Sequence, residues 1–157
     1  MGSYMGFDSG SELVVDGVTY TFPVGGATVL IGDTTDISST FTGACTYSAF
    51  TDATPDDCGT GNSMGAGGKG LTTALSYAFD SGFSLAGGVT SGQKEILGDA
   101  PDAFGINAAY SADSYGVAVA YISDDGGTGA ETTTWGLNGY YTFDLASLSV
   151  GLSLIHI

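Results

Sequence analysis

The feature that most constrains what this chain can become is a hairpin pattern that occurs three times. It is read in "LSYAFDSGFSLAGGV" (Leu75–Val89), "AAYSADSYGVAVAYI" (Ala108–Ile122) and "NGYYTFDLASLSVGL" (Asn138–Leu152). Each copy passes from an alternating apolar run through Tyr-x-x-Asp into a second alternating run. Strict alternation places successive side chains on opposite faces of a strand. In every copy nearly all the large side chains fall on one face and the small ones on the other. The chain is therefore expected to be all-β, with no sustained helical period anywhere.

Turn residues set how the runs pair. A three-residue turn at Asp80–Gly82 places Phe79 opposite Phe83. A two-residue turn at Asp113-Ser114 places Ala112 opposite Tyr115. Four-residue turns are expected at Asp144–Ser147 and at Pro23–Gly26, the latter joining Val18, Tyr20 and Phe22 to Ala27, Val29 and Ile31. These four hairpins predict about eight strands. Between them lie longer connections over 33–70, 91–103 and 123–131, rich in Asp, Gly, Thr and Ser. Short turns thus alternate with long loops, as in an antiparallel up-and-down sheet with one kind of connection on each rim.

Composition limits the setting. The 157 residues suit a single domain. With 17 acidic and 2 basic residues the net charge is −15, which argues against nucleic acid or anionic membrane surfaces as partners. Hydrophobic residues at 43% exclude a disordered chain. No apolar run approaches the ~20 residues of a membrane helix, and "MGSYMGFDSG" has no secretory signal pattern.

In a soluble sheet, the face turned away from the core usually carries Lys, Glu, Arg or Gln. Here that face holds Thr72, Ser76, Ser84, Ala86, Asn107, Ala118 and Asn138, and nearly every charge lies in the connections. The large face is aliphatic in mid-strand. Its aromatics gather at the short-turn end: Tyr77, Phe79, Phe83, Tyr110, Tyr115, Tyr141 and Phe143. Such rings favour a membrane–water boundary, and strands of this length match the ~9–11 residues of a tilted spanning strand. The expected fold is a transmembrane β-barrel, with large residues toward outer-membrane lipid and small polar ones lining a water-filled lumen. The alternative is a secreted or surface-anchored β-sandwich acting as a binding module, with the large face buried between two sheets.

Several stretches resemble one family. "LVVDGVTYTFPVGGATVLIGDTTD", "ACTYSAFTDATPDDCG", "YSADSYGVAVAY" and "TWGLNGYYTF" resemble cyanobacterial outer-membrane porins, over roughly residues 12–151. That family joins a surface-layer-homology domain to a carbohydrate-selective porin-like barrel and is often labelled iron-uptake porin. The resemblance implies passive diffusion of small hydrophilic solutes (inorganic ions or sugars), no cofactor, an outer-membrane location and a homo-oligomer, by family a trimer. It also implies more strands than eight, so residues 1–154 are expected to be part of a barrel, either an open curved sheet or a small barrel with a strained seam. The closing "LSLIHI" resembles a translated transposase sequencing adapter beginning at Leu152. Residues 155–157 are accordingly expected to be a scar.

The remaining motifs are weaker. Cys45 and Cys58, the only cysteines, share the longest connection and read as a disulfide in an exported protein. Asp56, Asp57, Asp99, Asp102, Asp124 and Asp125 lie in acidic loops. None of these loops follows the EF-hand order, so they read as solvated loops that enrich cations at a pore mouth. "GAGGKG" (Gly65–Gly70) lacks the spacing and the following helix of a phosphate loop. No nucleophile–base set or paired strand carboxylates suggest an enzyme, and no metal site is expected.

Overall fold

β-branched and aromatic residues alternating with Ser, Ala and Gly leave these segments few ways to fold other than as strands. The computed structural model describes residues 17–45, 70–91, 102–125 and 131–156. Eight strands form: β1 (Val18–Val24), β2 (Ala27–Asp33), β3 (Leu71–Ala78), β4 (Phe83–Ser91), β5 (Asp102–Ser111), β6 (Tyr115–Asp124), β7 (Thr132–Thr142) and β8 (Ser147–His156). They make one sheet in sequence order, every neighbouring pair antiparallel. β1 and β8 are its edges, and no ladder joins them among the described residues. The sheet is open.

The short turns lie together on one rim, as expected. At Asp80–Gly82 the amide of Phe79 donates to the carbonyl of Phe83 (2.8 Å), and Gly82 takes φ +88°. At Asp113-Ser114 the amide of Ala112 donates to the carbonyl of Tyr115 (2.8 Å). The other two turns are tighter than the sequence predicts. Val24 pairs directly with Ala27, leaving only Gly25-Gly26 in the turn, with φ +56° and +90°. Positive φ at both central residues is the turn whose twist matches the flanking strands, and glycine adopts it without steric cost. At the last hairpin the amide of Phe143 donates to the carbonyl of Ala146 (2.7 Å), so Asp144 and Leu145 alone make the turn.

Each tightening shifts register by two residues. Tyr20 faces Ile31 and Tyr141 faces Leu148. An even shift keeps every side chain on its expected face, whereas an odd one would have inverted the strand. Pro23, opposite Thr28, is tolerated because β1 is an edge strand. The adapter-like stretch is paired like the rest of β8, with Ile155 opposite Thr134 and His156 opposite Thr133. Ladder bonds are made by backbone, so they do not depend on which side chains are present.

The main departure from expectation lies after β2. Residues 34–45 do not stay on the rim but run across the small-residue face, with a single 3-10 turn at Ile37–Thr40. Asp36 caps that turn, its carboxylate accepting from the Ser38 amide (2.8 Å). The apolar core sits between this segment and the sheet. Ile37 and Phe41 pack with Leu30, Ala74, Ala120 and Ile122, and Ala44 packs with Ala109, Ala118 and Tyr140.

Candidate functional site

The two faces of the sheet carry the chemistry that the alternation assigned to them. Leu75, Leu85, Ile106, Val117, Leu137 and Val150 are exposed, from 47% at Val117 to 63% at Val150. Asn107, Ala118, Asn138 and Thr72 are buried at 3% or less, while Ser76, Ser84 and Ala86 are half-buried. Among the described strand residues only Asp33, Asp102 and Asp124 carry formal charge, each at a strand end on the long-loop rim. The exposed face between the rims is uncharged and broadly apolar.

Aromatic side chains border that face at the short-turn rim. Tyr77 contacts Phe79 and Phe83 contacts Tyr110, both with ring centroids 4.6 Å apart. Tyr115 lies 5.9 Å from Tyr110, and Tyr141 lies 4.7 Å from Phe143. A second group, which the sequence reading did not single out, lies toward the long-loop rim. Tyr121 sits 4.7 Å from Trp135 and 5.9 Å from Phe104. Its signal was present as a repeated interval: Phe104 to Tyr110, Tyr115 to Tyr121 and Trp135 to Tyr141 each span six residues. An even interval keeps both members on one face, separated by about 20 Å along the strand.

The small face is a seat for residues 34–45. Asn107 holds Thr42 by both backbone groups: Oδ1 accepts from the Thr42 amide (2.8 Å) and Nδ2 donates to the Thr42 carbonyl (3.2 Å). Nδ2 also donates to the Val119 carbonyl (3.0 Å). Asn138 Oδ1 accepts from the Ala44 amide (2.8 Å). Thr72 Oγ1 donates to the Thr35 carbonyl and is also hydrogen-bonded to Thr90 Oγ1. Two glycines make room. A Cβ at Gly32 would lie 2.5 Å from Thr35 Oγ1, and one at Gly105 would lie 2.9 Å from both Ile37 Cδ1 and Phe41 Cζ. Three expected lining residues, Thr72, Asn107 and Asn138, therefore meet the chain's own backbone. A long polar connection gives little sign of folding inward, but three breaks in parity mark the landing place: Leu30, Ile122 and Tyr140 are large side chains on the small face.

Facing away from the seat, Ser39, Thr42 and Gly43 are exposed. The acidic residues Asp33, Asp102, Asp124, Asp125 and Glu131 lie at or beside the long-loop ends of their strands. Asp56, Asp57 and Asp99 fall outside the described residues. Cys45 carries no free thiol, and its expected partner Cys58 also falls outside them. No helix is long and apolar enough to cross a membrane among the described residues, which says nothing of strands. No group of three or more potential metal ligands occurs among them either. No protein-family profile and no curated protein matches the chain.

Proposed function

We propose that this chain belongs to the wall of an outer-membrane β-barrel that passes small hydrophilic solutes by diffusion. The observation that carries this reading is the exposed face. Monomeric soluble proteins rarely present apolar patches beyond a few hundred Å², yet all eight strands expose large apolar residues on one side. That face has no charge between the rims and has aromatic groups toward both ends, the arrangement that suits a lipid layer. The opposite face, with its carboxamides and hydroxyls, would border the aqueous passage, narrowed by residues 34–45. A Cys45–Cys58 disulfide would tie the far end of that segment. Cation preference would arise at the acidic rim, where the Asp side chains raise local cation concentration.

The binding-module alternative requires a second sheet over the large residues. The described residues form a single sheet with its large face exposed, which gives that reading no support. The deciding experiment is expression of the protein in a Gram-negative host, followed by fractionation and planar-bilayer recording. Recovery in the membrane pellet, dependence on detergent and stepwise conductance are expected. A detergent-independent soluble protein without channel activity would defeat the proposal.

A further inference from the structure

Asn107 and Asn138 are more deeply buried than two polar side chains on an open water-filled wall should be, at 3% and 2% exposure. Burying a carboxamide is costly unless its hydrogen bonds are made. Here they are made to backbone groups 65 and 94 residues away in the chain, at Thr42 and Ala44. Asn107 satisfies the amide and the carbonyl of one residue together, which fixes the orientation of that peptide as well as its position. Gly105, two residues before Asn107 on the same face, leaves the space that Ile37 and Phe41 occupy. Small-residue faces do not need such features in order to be wet. This one is shaped to hold a particular stretch of backbone.

We infer that Asn107 and Asn138 are positioning residues: a two-point latch that pins residues 34–45 across the small face and so sets the width of the passage. The role in permeation rests on the porin reading; the latch itself does not. The segment turns Ser39, Thr42 and Gly43 outward, hydroxyls and bare backbone without charge. Its one carboxylate, Asp36, is directed at the Ser38 amide. A narrowing held this way discriminates by size, leaving charge discrimination to the acidic rim. The solutes it favours are small and polar, neutral or charged.

Two measurements on the full-length protein in detergent and in lipid test this. Hydrogen exchange read at single-residue level should find the Thr42 and Ala44 amides protected. Asn107→Leu should speed exchange at Thr42 at least tenfold, and Asn138→Leu should do so at Ala44, with strand amides unchanged. Gly105→Val provides an independent route, since it displaces Ile37 and Phe41 without touching either carboxamide. It should release both amides even if a leucine variant folds poorly. In planar bilayers the released variants should show at least a twofold larger unit conductance, with reversal potential little changed. Unchanged exchange in all three variants would overturn the latch, and released exchange with wild-type conductance would overturn its role in permeation. Released exchange in a protein that forms no channels at all would instead remove the porin reading and leave the latch standing.

Discussion

Leu137 and Asn138 are adjacent in β7 and face opposite surroundings, the first half exposed and the second almost fully buried. An arginine at each therefore has a different consequence. If the exposed face meets lipid, as proposed, Leu137→Arg should cost ~2–4 kcal/mol near the bilayer midplane, read from urea unfolding out of lipid vesicles. Asn138→Arg replaces the acceptor of the Ala44 amide with a cation, so it should displace the segment and, on the proposed pore reading, lower cation preference. Its unfolding free energy should change by less than that of Leu137→Arg, and the opposite order would contradict the facing. Gly82 offers a purely steric comparison. With φ +88° and a Cβ that would lie 2.4 Å from the Ser111 carbonyl oxygen, Gly82→Ala should lose at least ~1–2 kcal/mol, visible as a lower thermal midpoint.

At the scale of one element, the first hairpin gives a stabilising prediction. Gly25 has φ +56°, and a Cβ there meets nothing within 4 Å. Asn tolerates this left-handed conformation better than other residues with side chains, and it has less freedom than glycine to lose on folding. Gly25→Asn should therefore raise stability by ~0.4–1 kcal/mol, seen as a modest rise in the thermal midpoint. Gly26, at φ +90° with Tyr77 Cε2 3.4 Å from its would-be Cβ, should not accept the same change. If both substitutions behave alike, the two-residue turn is wrong and the longer Pro23–Gly26 turn is restored. The inward segment is an element of a different kind. Its only regular structure is one 3-10 turn, so its position depends on the seat, with Ile37 wholly buried against the sheet.

For the whole molecule, charge is segregated: the exposed sheet face is uncharged between rims that carry acidic residues. A pore whose charge selectivity resides at an exposed rim should lose it when salt shortens the screening distance. Raising ionic strength from ~0.1 M to ~1 M cuts that distance from ~10 Å to ~3 Å. Reversal potentials under a fixed salt gradient should then show cation preference falling toward neutrality while unit conductance rises with salt. Persistent preference at high salt would place the selecting charge inside the passage. The open sheet also has a consequence. β1 and β8 present strand edges with no ladder between them among the described residues, and an unprotected edge recruits further strands. The chain on its own should therefore associate or aggregate on removal of detergent.

Alternation by itself determined the strand-rich fold, the up-and-down order and which side chains share a face, because a period of two is a local property of the backbone. Leu75, Ile106 and Leu137 could be assigned to one side and Asn107 and Asn138 to the other before any contact was known. Turn length was less legible. Pro23–Gly26 and Asp144–Ser147 fit a four-residue or a two-residue turn equally well by face, since the two differ by an even shift. Only the tertiary structure decided what the small face meets. Residues 34–45 have weak local preference, and their path is set by hydrogen bonds and packing to residues far away in the chain: Thr72, Gly105, Asn107 and Asn138. Leu30, Ile122 and Tyr140 broke the alternation in the sequence, but a break in parity tells only that something packs there. Which segment arrives is a matter of long-range complementarity, and no local pattern encodes it.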